Sequence, residues 1–391
     1  MSSRRRFLQY GSWTAASLAV GAGCHGGETP IQRGETQAQQ RPDNQPDYKS
    51  TGVELRTSTP KQDGFYFPAE WQPHAATIMA FPPAQNWQGY GLSNARQEWA
   101  DTANTISEFE PVMMAIDPAD TKIAQQLLSR KIELLEYPLN DGWSRDSGPM
   151  ILVNGQGDRR VAGFTFNGWG EKLPPYADDA MLKAHLAKQL DLTMYPIPLV
   201  MEGGGVILDG EGTVITTEQC LLHPNRNPGI SKVQVEQYFA DYLGATKTIW
   251  LGQGLTPDPI TDGHVDGIAA YAAPGVVLLH TTDDPSDPNY AICRDAQQRL
   301  SGAKDAKGRK LKIITMPLGE KALHMGFYIA NGCVVVPIAN DPAEDDAPLA
   351  ILRETFGDRQ VIGVSGVTLA QGGGSVHCIT QQVPHQAKAA R

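Results

Sequence analysis

The sequence predicts an α/β fold in which hairpins are interleaved with crossover helices. Three observations lead there. Apolar runs of strand length recur from about residue 51 onward, helix-like segments alternate with them, and one stretch is a hairpin by its own turn chemistry. The strand runs, in order, are ATIMAF (76–81), VMMAI (112–116), IELLEY (132–137), TVITTE (213–218), TKTIWL (246–251), GVVLLH (275–280), KIITM (312–316), CVVVP (333–337) and QVIGV (360–364). The helix-like segments cover 94–109, 119–128, 178–190, 232–244 and 343–357. GVILDGEGTVITT (205–217) places two alternating runs around Asp209-Gly210-Glu211-Gly212, a turn signal. Hairpins mixed with crossovers argue against a purely parallel doubly wound sheet. No composition break divides the segment and no clean sequence repeat is visible, so residues 52–388 are expected to form one large domain.

The chain has 391 residues and a formal net charge of −10, from 33 basic and 43 acidic residues. An acidic surplus argues against nucleic acid as a main partner, because phosphate binding requires Lys and Arg patches. It agrees with a cationic ligand and equally with ordinary solubility charge. The first residues read as an address. SRRRFLQ (3–9) sets paired arginines before an apolar stretch too short to span a bilayer, which resembles a twin-arginine export signal. Residues 1–24 end at Cys24, where VGAGC resembles a lipoprotein cleavage box without its usual Leu. Residues 25–51 are rich in Gln, Gly, Pro, Thr and Asp and read as a flexible linker. The expected location is exported, periplasmic or lipid-anchored, with the membrane engaged only through that anchor. Oligomeric state has no sequence signal.

Beyond Cys24 there are four cysteines, Cys220, Cys293, Cys333 and Cys378, with no CxxC pair to suggest zinc. Cys378 follows three glycines in QGGGSVHCIT (371–380). A cysteine nucleophile needs a base and a lowered thiol pKa. On a strand, His377 and Cys378 point to opposite faces, so the base is expected from elsewhere; alone, Cys378 reads as a buried structural thiol. DGHVDG (262–267) sets His264 and Asp266 on one face if extended, offering a proton-transfer group and a carboxylate to one ligand, or a capped turn, or two zinc ligands. EGGG at Glu202 repeats the glycine arrangement but lacks a phosphate-loop frame. WSRDSGPM (143–150) reads as a buried Arg145–Asp146 pair, and FPAEWQPH (67–74) as a packed surface turn.

Taken together these blocks resemble the agmatine deiminase and Porphyromonas-type peptidylarginine deiminase family. The matching stretches are FPAEWQPHAATIM, WSRDSGP, MEGGGVILDGEGTVITTEQCLL with NRNPG, TDGHVDG, FYIANGCVVVP and GGGSVHCITQQ, in the family's order along nearly the whole mature chain. The resemblance implies a pseudo-fivefold α/β propeller, the pentein fold, with its site in a central channel. It implies Cys378 as nucleophile, His264 as general acid and base, Asp146 and Asp266 as carboxylates gripping a guanidinium, and Glu202 as the acid orienting the histidine. Trp143, Arg145, Trp87 and Gly374 are the further substrate-binding candidates. No metal and no organic cofactor is implied. The implied substrate is a small guanidinium, agmatine first and peptidyl-arginine second, with a non-catalytic guanidine-binding protein as the alternative outside enzymes.

The chain departs from the agmatine deiminase pattern beside these motifs. Gly267 stands where the family reads Asn after HVD, His324 and Gly326 stand for Tyr and Asn in SYVNFYIANG, and Ser375 stands for Asn in GGGNIHC. The loop between KIITMP and FYIANG is also shorter. These changes spare the implied catalytic set and bear on the substrate.

Overall fold

The computed structural model describes residues 46–87, 89 and 91–385. The expected export signal, Cys24 and most of the expected linker lie outside the described residues. Among the described residues, no helix is long and apolar enough to cross a membrane.

Five small sheets carry the fold. The first holds β1 (His74–Ala80), β2 (Val112–Ile116) and β3 (Glu133–Glu136), each parallel to the next. The second holds β4 (Met150–Val153), β5 (Arg159–Thr165) and β6 (Met194–Val200). The third holds β7 (Val206–Leu208), β8 (Thr213–Thr217) and β9 (Lys247–Leu251). The fourth holds β10 (Ala269–Ala273), β11 (Val276–Thr281) and β12 (Lys312–Pro317), and the fifth β13 (Tyr328–Ala330), β14 (Cys333–Ile338) and β15 (Gln360–Ser365). The last strand, β16 (Gln381–Pro384), returns to pair antiparallel with β1, His74 opposite Pro384 and Ile78 opposite Gln381.

One rule builds all five. In each of the four later sheets an antiparallel hairpin is followed by a parallel crossover, as in β7–β8 and β8–β9. The first sheet makes the same pattern from the two ends of the chain, β16 antiparallel to β1 and β1 parallel to β2. The fold is therefore α/β and pseudo-fivefold. The repeat is structural, which is why the sequence shows no period.

The crossovers supply the helices, at Leu92–Ile106, Ala177–Gln189, Lys232–Tyr242, Tyr290–Gly302 and Pro342–Thr355. In the first of these, Ala95, Trp99, Ala103 and Ile106 recur at helical spacing and are fully buried. Trp99 packs against Trp87 and Trp143, with ring centroids 5.1 and 5.4 Å away. The same helix buries Glu98, whose carboxylate accepts from the backbone N–H of Thr368 (3.0 Å) and Leu369 (2.8 Å). That charge satisfies the free donors at the start of the short helix Val367–Gln371. The glycines leading to Cys378 leave the end of this helix, so Glu98 anchors their point of departure.

Candidate active site

Short helical turns recur immediately ahead of the first strand of a sheet, and they carry the chemistry. Ser144–Ser147 precedes β4 and bears Asp146; Gly203–Gly205 precedes β7 and follows Glu202. Val265–Gly267 precedes β10 and brings His264 and Asp266; His377–Ile379 precedes β16 and brings Cys378. Ahead of β13 the corresponding turn, closed by the Gly326 N–H on the Leu323 carbonyl at 2.8 Å, ends on a residue without a side chain. Both segments expected as strand-like, at His264 and at Cys378, are 3-10 turns. The glycines and helical turns let five chain entries crowd together where a strand's side chains would collide.

Gly204 shows how close they come. A Cβ there would stand 2.6 Å from His264 Nδ1, 2.8 Å from Asp266 Oδ2 and 3.1 Å from Asp146 Oδ1. Its N–H donates to Asp146 Oδ1 at 2.9 Å, and the Trp169 indole N–H donates to Asp146 Oδ2 at 2.9 Å. Burial raises the pKa of Asp146, the neighbouring Asp266 and Glu202 carboxylates add to this, and His264 opposes it.

Glu202 is fully buried between two cations. Arg226 Nε donates to Oε1 at 2.6 Å, and His264 Nε2 stands 3.4 Å from Oε2. Burial disfavours its charge, but Arg226 and His264 outweigh that and hold its pKa below the usual carboxylate range. Burial likewise works against an imidazolium at His264. Asp146, together with hydrogen bonds to Cys220 and Glu202, overcomes it and raises His264 well above its ordinary value. Glu202, Cys220 and His264 have ligand atoms within 4.8 Å of one another, a donor set that a metal ion could use. The Arg226 cation already neutralises Glu202, and burial pushes the Cys220 thiol up, so the set as it stands is a proton-bearing cluster.

Asp266 faces Cys378 and His377 together. His377 Nδ1 lies 2.8 Å and Cys378 Sγ 3.9 Å from the same oxygen, Oδ2. The other nitrogen of His377 lies 3.0 Å from Glu70 Oε2, which also pairs with Arg145 Nη2 at 3.4 Å. Burial opposes these charges throughout. Even so, the His377 and Arg145 cations take Glu70 down to about 2, His377 lowers Asp266, and Glu70 and Asp266 raise His377. A pocket of about 300 Å³ opens over this layer, bordered by Cys378, His264, Asp266, Gly374 and Ser375. A smaller one, about 50 Å³, is bordered by Glu70, Arg145, His377 and again Asp266.

The structure thus brings Cys378, His264, Asp266 and Gly374 to one pocket, with Asp146 and Glu202 touching that group. Trp87 and Trp143, expected against substrate, border neither of these pockets. They stand behind the glycine run, where a Cβ on Gly372 or Gly374 would lie 2.3 Å from their rings. Their large apolar faces support the loop that carries Cys378. Arg145 binds the His377 carbonyl (3.2 Å), Gln382 (2.8 Å) and Glu70, so its role is to fix the layer under Asp266. Sequence reasoning missed Glu70, His377, Arg226, Cys220 and Trp169. Glu70, Arg226, Cys220 and His377 lie inside the matching motifs; only packing reveals that Glu70 meets His377 and that Arg226 and Cys220 meet Glu202.

Comparison with known proteins agrees with this geometry. The profile of the Porphyromonas-type peptidyl-arginine deiminase family matches residues 66–384. A Vibrio parahaemolyticus protein named "Putative agmatine deiminase" is 40% identical over 359 residues, covering 84% of this chain and 99% of its own. A Legionella pneumophila protein of the same name is 39% identical over 344 residues, covering 85% and 98%. The solved structure of the agmatine deiminase of Enterococcus faecalis superposes with a TM-score of 0.82 at 34% identity, over 86% of this chain and all of that one.

Proposed function

This chain belongs to the Porphyromonas-type peptidyl-arginine deiminase family, and from that premise we propose that it hydrolyses agmatine to N-carbamoylputrescine and ammonia through a covalent intermediate on Cys378. The observation that carries the reading is the shared pocket, which sulfur, imidazole and carboxylate all line.

A guanidinium is planar and cationic, and Asp146 and Asp266 offer it charge-assisted hydrogen bonds. Burial and these two carboxylates push the Cys378 thiol far up. A bound cation reverses the sign of that field and favours the thiolate. The sulfur lone pair attacks the central carbon, and the C=N π electrons move onto nitrogen. His264, held protonated, gives its proton to the departing nitrogen, which leaves as ammonia. A thiouronium remains on Cys378. Water gives one proton to His264 and adds to the carbon as hydroxide; the C–S bond then breaks, returning its electron pair to sulfur, and the new hydroxyl loses its proton to solvent as the ureido product leaves. Glu202 holds the imidazole in place through both protonation changes.

Peptidyl-arginine is the second reading. Its support is the open wall at Gly267, where a Cβ would meet nothing within 4 Å. Agmatine, free arginine and an arginyl peptide, each scored for ammonia and ureido product, separate the two. The expected result is preference for agmatine, with Cys378→Ser lowering turnover more than about a thousandfold. Preference for the peptide selects the second reading, and ammonia release by Cys378→Ser at the wild-type rate removes the mechanism. We also propose export by the twin-arginine route, supported by SRRRFL; a reporter fused to residues 1–50 that stays inside the cell overturns it.

A further inference from the structure

Two of the departures from the family pattern, at 326 and 375, are one local feature. A Cβ built on Gly326 would lie 1.9 Å from Ser375 Oγ and 2.3 Å from Ser375 Cβ. The serine side chain therefore occupies the space where a side chain at 326 would begin. Seated there, Ser375 is buried and its Oγ lies 3.4 Å from Cys378 Sγ. The seat is fixed on its far side, because the His377 N–H donates to the Gly326 carbonyl at 2.8 Å.

We propose that Ser375 is a catalytic hydrogen-bond donor to the Cys378 sulfur, held in position by the absent side chain of Gly326. This rests on Cys378 being the nucleophile. The charged groups around the sulfur are Asp266 at 3.9 Å, Asp146 from the turn before β4, and His264, which lines the same pocket. The carboxylates disfavour a thiolate, and Ser375 opposes them with its hydroxyl and its backbone N–H. The hydroxyl keeps its own proton throughout. It donates to the sulfur anion before the S–C bond forms, and again when that bond breaks and the electron pair returns to sulfur. A thioether-like sulfur in the intermediate accepts weakly, so the bond is strongest where the thiolate is the attacking or leaving group.

The test is the second-order rate of Cys378 alkylation by iodoacetamide, a neutral reagent, from pH 7 to 10 in substrate-free enzyme, read by mass spectrometry at that residue. Ser375→Ala is expected to alkylate about tenfold more slowly at each pH, a displacement of about one pH unit. Its kcat/KM with agmatine should fall by a similar factor over the same pH range. Gly326→Ala, which keeps the hydroxyl but removes its seat, should slow alkylation in the same direction and serves if Ser375→Ala does not fold. Wild-type alkylation rates in the folded variant overturn the proposal. Because alkylation needs no substrate, that failure is distinct from failure of the agmatine reading, which the substrate panel alone decides.

Discussion

Glu70 makes its charge useful at a distance from the reacting sulfur. Its carboxylate holds His377 and Arg145 on one oxygen and accepts the Ile329 N–H (2.9 Å) on the other. With its pKa taken from the ordinary 4.5 to about 2, it contributes stability that is complete above pH 4.5 and is lost as pH falls through 2. His377 is raised, so its share is complete below the ordinary histidine value and is lost as pH rises through the folded one. Glu70→Gln should therefore lose on the order of 3 kcal/mol near pH 5. The gap to wild type should narrow on both the acid and alkaline sides, measured by urea denaturation across pH. A gap independent of pH would show that the carboxylate is only a hydrogen-bond acceptor. None of this was legible in FPAEWQPH, where Glu70 reads as a surface residue between prolines. Its partner, His377, lies about three hundred residues away in sequence, and motif spacing carries no information on such a pair. The residues within single motifs, His264 with Asp266 above all, were legible because the turn that displays them is local.

At the scale of elements, the site depends on turns that leave no room. A methyl group on Gly204 would stand within 3.1 Å of His264, Asp266 and Asp146 alike. Gly204→Ala should fold, because the methyl meets the polar groups of His264, Asp266 and Asp146 and not the apolar core, yet lose at least about a hundredfold in kcat/KM by displacing them. Circular dichroism melting and agmatine turnover together check it; unchanged turnover would mean that the substrate is held elsewhere. Strands rich in Val and Ile were legible, such as β2 and β14, and so was the β7–β8 hairpin. Three of those that were not have a clear physical reason. β10 is AAYAA, whose alanines favour helix until tertiary packing overrides them. β6, MYPIPLV, carries two prolines and is tolerated as an edge strand. β16, QQVP, is short and mostly polar in sequence, and is buried only because β1 waits for it.

That last pairing decides how the molecule is closed and when it becomes active. Four sheets take their antiparallel hairpin from neighbouring sequence, whereas the first must wait for the C-terminal strand. Cys378 enters on the turn directly before that strand, so its sulfur reaches Asp266 only as the first sheet is completed. Without β16, Thr77 and Ile78, both fully buried, would sit on an open edge with unpaired backbone groups. Four described cysteines report on this. Cys220, Cys293 and Cys333 are buried in three different parts of the fold, and Cys378 is partly accessible. In native buffer, full-length protein should alkylate among these four at Cys378 alone. A chain ending at Thr380 keeps Cys378 but lacks the closing strand. It should alkylate at all four, because β16 packs on β4 as well as pairing with β1, so its loss opens the first and second sheets together. If Cys220, Cys293 and Cys333 stay protected in the truncated chain, the sheets are held by their helices and the terminal strand serves only to deliver the sulfur.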